Sequence, residues 1–136
     1  MAKGPVLFVC VENAGRSQMA EAFAKKHGMN AQSAGTMPST RINPIVVDVM
    51  RERGIDISSN HPKTLTPELI QGASLVVTMG CSIEEACPNP IIAQMQKKLV
   101  EWHLEDPKGR SLEDVRKIRD EIERKIIELP AHLRAA

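Results

Sequence analysis

At 136 residues and 42% hydrophobic content, the chain is long enough to bury a core, and a disordered polypeptide is excluded. A formal charge of +1, 2% aromatic residues and no Tyr supply neither the basic surface nor the stacking platforms of a nucleic-acid binder. No apolar stretch approaches the roughly 20 residues that span a bilayer, so no membrane partner is expected.

Three cysteines, an odd number, do not make a secreted disulfide framework. Lys3 and the apolar run after it resemble the start of a secretory signal, but Glu12 and Asn13 interrupt it. The expectation is a cytoplasmic, monomeric protein of one domain, 1–136, with thiols that are reactive or merely buried.

In chain order, residues 5–9 form a continuous apolar run, as in a strand covered on both faces. Residues 17–27 read as a helix with Met19, Ala20, Phe23 and Ala24 on its apolar stripe and Gly28 at its end. Residues 30–34 make a second strand closed by Gly35, and 36–42 a loop. Asn43 and Pro44 open a helix with Val46, Val47 and Met50 facing the core and Gly54 ending it. Residues 55–63 are irregular, and Thr66 and Pro67 start a short helix that stops before Gly72. Residues 75–79 are the third strand.

Pro88 and Pro90 make the end of residues 80–90 a loop. Ile92, Met95 and Leu99 suggest a weak helix, and 100–104 the fourth strand. Ser111 caps a final helix with Leu112, Val115, Ile118, Ile122, Ile126 and Leu129 on one face, ended by Pro130. Glu113, Lys117, Asp120, Glu121, Arg124 and Lys125 form its solvated face. This alternation predicts an α/β fold, a four-stranded parallel sheet flanked by helices on both faces.

The chemistry concentrates between the first strand and the first helix. Cys10 ends the apolar run, and five residues separate it from Arg16 and Ser17. A loop curled over a helix N-terminus turns backbone N–H groups inward and favours an anion. Arg16 adds a planar fork suited to a tetrahedral oxyanion. The same field favours the thiolate of Cys10, a nucleophile facing its target. The competing reading makes Cys10 a buried strand cysteine and Arg16 a surface charge.

Ligands of open α/β sheets bind at the carboxyl ends of the strands. Cys10, Cys81 and Asp106 each lie just past a predicted strand and are expected to meet there. Pro107 biases Asp106 to an extended backbone and removes one competing N–H; an ordinary turn aspartate is the competing reading. Five residues separate Cys81 from Cys87, unlike the paired spacing of zinc ligands, and the four histidines are scattered, so no metal site is expected.

The run Cys-Val-Glu-Asn-Ala-Gly-Arg-Ser-Gln-Met-Ala-Glu from Cys10 to Glu21 resembles the low-molecular-weight tyrosine phosphatase superfamily. It is most similar to the thiol-dependent arsenate reductase branch. Ser33-Ala34-Gly35, the strand before Cys81, Trp102 to Pro107 and the final amphipathic helix extend the resemblance over nearly the whole chain.

The resemblance implies that Val11, Glu12, Asn13, Ala14, Gly15 and Arg16 hold arsenate or a phosphate-like oxyanion. Ser17 then hydrogen-bonds the Cys10 thiolate, Asn13 braces the loop, and Asp106 is the general acid. Cys10 is the nucleophile, Cys81 the second thiol and Cys87 the resolving thiol. Thioredoxin or a related dithiol donor regenerates them, and residues 80–90 move during turnover. No cofactor is implied apart from a potassium ion that some relatives bind, here matched by Asn13, Glu21 and Ser33.

Three departures accompany the resemblance. Glu12 stands where Gly is common, so its carboxylate is expected to repel the oxyanion unless it points outward, and to fit poorly at a positive φ. Gly15 stands where Cys is common and adds freedom. The spacing from Cys81 to Cys87 is one residue shorter. Two other functions compete: a tyrosine phosphatase using Cys10, Arg16 and Asp106, which lacks the expected Tyr near Asp106, and a non-enzymatic thiol redox sensor.

Overall fold

The computed structural model describes residues 4–79 and 99–130. Strands β1 (Val6–Cys10), β2 (Ala31–Gly35), β3 (Leu75–Met79) and β4 (Leu99–Trp102) form one sheet. Their order is β2-β1-β3-β4, with every pairing parallel. The helices are α1 (Arg16–Lys26), α2 (Pro44–Arg51), α3 (Pro67–Gly72) and α4 (Leu112–Ile127).

The apolar run of β1 is buried at every position because both of its faces are covered. Val6, Phe8 and Cys10 face one layer with Met19 and Phe23 of α1, Val46 and Met50 of α2, and Ile122 and Ile126 of α4. Leu7 and Val9 face the other with Ile70 of α3, Ala73 and Val76. Helices therefore flank both faces, as expected. None of the described helices is long and apolar enough to cross a membrane.

The helix starts follow from their caps. The Asn43 side chain accepts from the Ile45 N–H, Thr66 from Leu69 and Ser111 from Asp114, with Pro44 and Pro67 at the first positions of their helices. Gly28 and Gly54 follow α1 and α2 at positive φ.

Three expectations need correction. Leu99 opens β4, paired with Val76, and so belongs to the sheet and not to a helix. Val49 joins Val46 and Met50 as the buried residues of α2, while Val47 packs against the same core only partly buried. Leu112 sits in the first turn of α4 and is 40% exposed. Conversely, Arg119 is buried at a core-facing position of α4, four residues after Val115 and three before Ile122. The loop predicted at 80–90, with Cys81 and Cys87, lies outside the described residues, as do Ile92 and Met95.

Arg119 also changes the reading of α4's polar face. Its NH1 donates to the Val49 carbonyl at 2.9 Å and to Glu52 at 2.7 Å. Arg116 donates to the same Glu52 carboxylate at 2.7 Å, and Asp120 pairs with Arg53 at 2.7 Å. The hydrogen bonds from Arg116 and then Arg119 hold the Glu52 carboxyl down at about 2, against an ordinary 4.5. These charges fasten α4 to the end of α2.

Candidate active site

A cavity of about 320 Å³ opens at the carboxyl end of β1, lined by the loop after Cys10, by residues 39–44 and by residues 106–109. Cys10, Arg16 and Asp106 thus share one site although the first and last are far apart in sequence.

Residues 36–43 give the loop its shape. The Thr36 N–H donates to the Cys10 carbonyl (3.2 Å), Met37 to Val11 (2.8 Å), Ser39 to Glu12 (2.9 Å) and Asn43 to Ala14 (2.9 Å). The C=O and N–H of a trans peptide point opposite ways, and no described peptide bond is cis. The N–H groups of Val11, Glu12, Asn13 and Gly15 therefore face away from this clasp, into the loop. Gly35 permits the clasp, since a Cβ there would lie 2.6 Å from the Val11 carbonyl oxygen. Below the loop, α1 begins at Gly15 with no side-chain cap and no carboxylate in its first turn. Its leading N–H groups add to a nest that favours negative charge.

Cys10 is buried and free. Its Sγ lies 2.8 Å from the Ser17 hydroxyl and accepts from the Asn13 N–H at 3.2 Å. The Asn13 Nδ2 donates to the Ser17 oxygen at 2.7 Å. The Ser17 proton is thus the one left for the sulfur, so that two donors converge on it.

Arg16 is buried beneath the cavity. Its NH1 donates to the Leu104 carbonyl at 3.2 Å, and its NH2 lies 3.8 Å from the Asp106 Oδ2. The Lys108 N–H donates to the other Asp106 oxygen at 3.0 Å. A half-exposed carboxyl held at the mouth, opposite a sulfur in a ring of donors, can protonate an oxygen departing from a bound tetrahedral centre.

Two of the departures have structural answers. Glu12 lines the cavity together with Lys108, and one of its carboxylate oxygens lies 3.3 Å from the Lys108 ammonium. That pair is too exposed to be worth more than about 1 kcal/mol, yet it offsets the carboxylate's charge at the mouth. The positive φ falls on Asn13, at 52°, and not on Glu12; Asn tolerates that region better than most residues. Gly15 provides close approach more than freedom, because a Cβ on it would lie 2.8 Å from the Pro107 Cγ.

Asn13, Glu21 and Ser33 lie close together but do not fit a potassium ion. One Glu21 oxygen is 2.6 Å from the Lys25 ammonium, and the other accepts from the Ser33 hydroxyl and lies 3.6 Å from the Lys63 ammonium. The Asn13 Oδ1 already accepts from Gln18 Nε2 and from the Lys63 N–H. Two ammonium groups neutralise the carboxylate, and a third cation would be repelled. The described residues contain no group of three His, Cys, Asp or Glu side chains able to hold a metal.

Cys81 and Cys87 lie outside the described residues. The sequence reading did not single out Arg41 and Lys108, which line the cavity, or Gln18, which holds Asn13. Lys108 follows Asp106-Pro107 directly, a signal that it borders the mouth. Gln18 carried no signal, since two of its partners, Asn60 and the His61 carbonyl, come from a distant segment.

Comparison with known proteins matches residues 5–136 to the family model described as low molecular weight phosphotyrosine protein phosphatase. An arsenate reductase of Staphylococcus aureus is 34% identical over 125 residues, covering 90% of this chain and 92% of that protein. A solved structure titled an arsenate reductase in the phosphate binding state superposes with a TM-score of 0.82 at 34% identity, over 98% of this chain and 99% of the other. A thioredoxin-dependent arsenate reductase of Corynebacterium glutamicum gives a TM-score of 0.74 at 37% identity, over 94% of this chain and 61% of that one.

Proposed function

Because the chain belongs to the low-molecular-weight phosphotyrosine protein phosphatase family, we propose that it is an arsenate reductase working through a cysteine relay regenerated by thioredoxin. The observation that supports this reading most is the Cys10 sulfur, held by Ser17 and Asn13 donors at the floor of a loop of inward N–H groups, with Arg16 beside it and Asp106 at the mouth. The similar proteins named arsenate reductases supply the choice of oxyanion.

In this reading the Cys10 thiolate attacks the arsenic of a bound arsenate. One As–O bond breaks, and Asp106 protonates the leaving oxygen, giving a Cys10–arsenic(V) thioester. The Cys81 thiolate then attacks the Cys10 sulfur. The S–As electron pair stays with arsenic, which leaves as arsenite, and a Cys10–Cys81 disulfide forms. Cys87 attacks Cys81, frees Cys10 and completes a Cys81–Cys87 disulfide. Two electrons pass from two thiols to one arsenic, and a dithiol donor restores them in the reducing cytoplasm.

The test is NADPH consumption by the protein with arsenate, thioredoxin and thioredoxin reductase. Turnover should vanish in Cys10→Ser, Cys81→Ser and Cys87→Ser alike. A second reading, phosphomonoester hydrolysis, draws on the same Cys10, Arg16 and Asp106 without Cys81 or Cys87. Failure of the wild type to turn over arsenate, together with phosphatase activity that survives Cys81→Ser, would replace the first reading with the second.

A further inference from the structure

Gln18 is fully buried one residue past Ser17 in α1, and its apolar neighbours do not account for it. Its Nε2 lies 3.2 Å from the Asn13 carbonyl, 3.0 Å from the Asn13 Oδ1 and 3.3 Å from the His61 carbonyl. Its Oε1 accepts from Asn60 Nδ2 at 3.3 Å. Backbone carbonyls only accept, so the amide orientation of Gln18 is fixed by them.

The same reasoning fixes Asn13. The Lys63 backbone N–H only donates, and it meets the Asn13 Oδ1 at 2.8 Å. The Asn13 Nδ2 must then face Ser17, to which it donates, and the Ser17 proton is directed at Cys10. Asn13 reaches the sulfur a second way, through its own N–H. Gln18 grips both acceptors of Asn13, whose N–H donates to the sulfur and whose Nδ2 donates to Ser17. It also holds a backbone whose φ is positive, which an Asn side chain alone only tolerates.

We infer that Gln18 is a positioning residue for the Cys10 thiolate: it clamps Asn13 and so sets the direction of the hydrogen bonds that reach the sulfur. It touches no substrate. The inference rests on Cys10 being the nucleophile of the proposed function, but its readout does not depend on arsenate turnover.

The experiment is alkylation of Cys10 by iodoacetamide in the full chain, read on the Cys10 peptide by mass spectrometry across the pH range in which thiols titrate. Gln18→Met keeps the length and removes the hydrogen bonds. By freeing Asn13 it should cost the sulfur about one of the two hydrogen bonds that reach it, and so raise the pH of half-maximal alkylation by about one unit. Protection of Cys10 by inorganic phosphate should weaken about tenfold. Gln18→Glu sets a carboxylate against three acceptors and should shift the midpoint further.

In the unsubstituted chain, the Gln18 side-chain amide resonance should titrate with the Cys10 midpoint, which keeps the test open where Gln18→Met does not fold. A folded Gln18→Met with an unchanged midpoint, or a Gln18 resonance that stays flat through it, overturns the inference. A wild type that alkylates as described but leaves arsenate unreduced overturns the proposed function and spares this one.

Discussion

Gly15→Ala tests how the mouth of the site is held together. The new methyl would lie 2.8 Å from the Pro107 Cγ and 3.6 Å from its Cδ, while its 3.7 Å approach to the Val46 Cγ2 is ordinary contact. Carbon pairs settle near 3.5–4.0 Å, so Pro107 must retreat by about 1 Å. Pro107 is buried, and overpacking of this kind typically costs about 1–3 kcal/mol. The retreat carries Asp106, whose Oδ2 lies 3.8 Å from the Arg16 NH2. A misplacement of about 1 Å in a catalytic group lowers turnover by up to roughly 100-fold.

Gly15→Ala should therefore lower kcat for arsenate reduction, or for p-nitrophenyl phosphate hydrolysis, by about 10- to 100-fold. Phosphate affinity should fall much less, because the loop N–H groups stay in place. Adding Pro107→Ala removes the opposing carbon and should recover part of the loss, a coupling that a double-mutant cycle measures. A Gly15→Ala protein within twofold of wild-type kcat would refute the idea that this contact sets the position of Asp106.

Glu52 gives a pH prediction. Its carboxyl titrates at about 2 in the folded chain against an ordinary 4.5, so its ionised form favours folding. That contribution is complete above 4.5 and fades as pH falls toward 2. The urea midpoint of Glu52→Gln should lie below wild type at neutral pH, and the gap should close on acidification; a constant gap would refute it. Lys108→Met should leave Tm within about 2 °C of wild type, because its partner Glu12 is exposed. It should weaken phosphate binding most at low salt, as the freed carboxylate repels the anion; a salt-independent loss counts against that account. Exchanging NaCl for KCl at constant ionic strength should leave Tm unchanged, since Lys25 and Lys63 already neutralise Glu21. A rise specific to potassium would show that these ammonium groups yield to the ion.

What could be read from the sequence was local. The run ending at Cys10 announces a doubly covered strand, and Asn43-Pro44, Thr66-Pro67 and Ser111 announce helix starts that the structure places where expected. Cys10 and Asp106 were brought together by a rule about strand ends, and one cavity holds both. What escaped depended on distant partners. Gln18 looks like a surface residue until the His61 carbonyl arrives beside it. Arg119 occupies a core position by spacing, and its burial depends on the Val49 carbonyl and Glu52, which lie on another helix end. Leu112 failed in the opposite sense, at a helix end with little to pack against. The pairing of Glu12 depends on Lys108, 96 positions away.

The strand that carries Cys10 has neighbours along both edges, β2 on one side and β3 on the other. Such a strand has no free margin from which to peel, so its amides should be among the last in the protein to exchange with deuterium. The Cys10 sulfur is mounted at the end of a strand held along both of its edges. Whatever meets it, whether an oxyanion or another thiol, has to do the travelling.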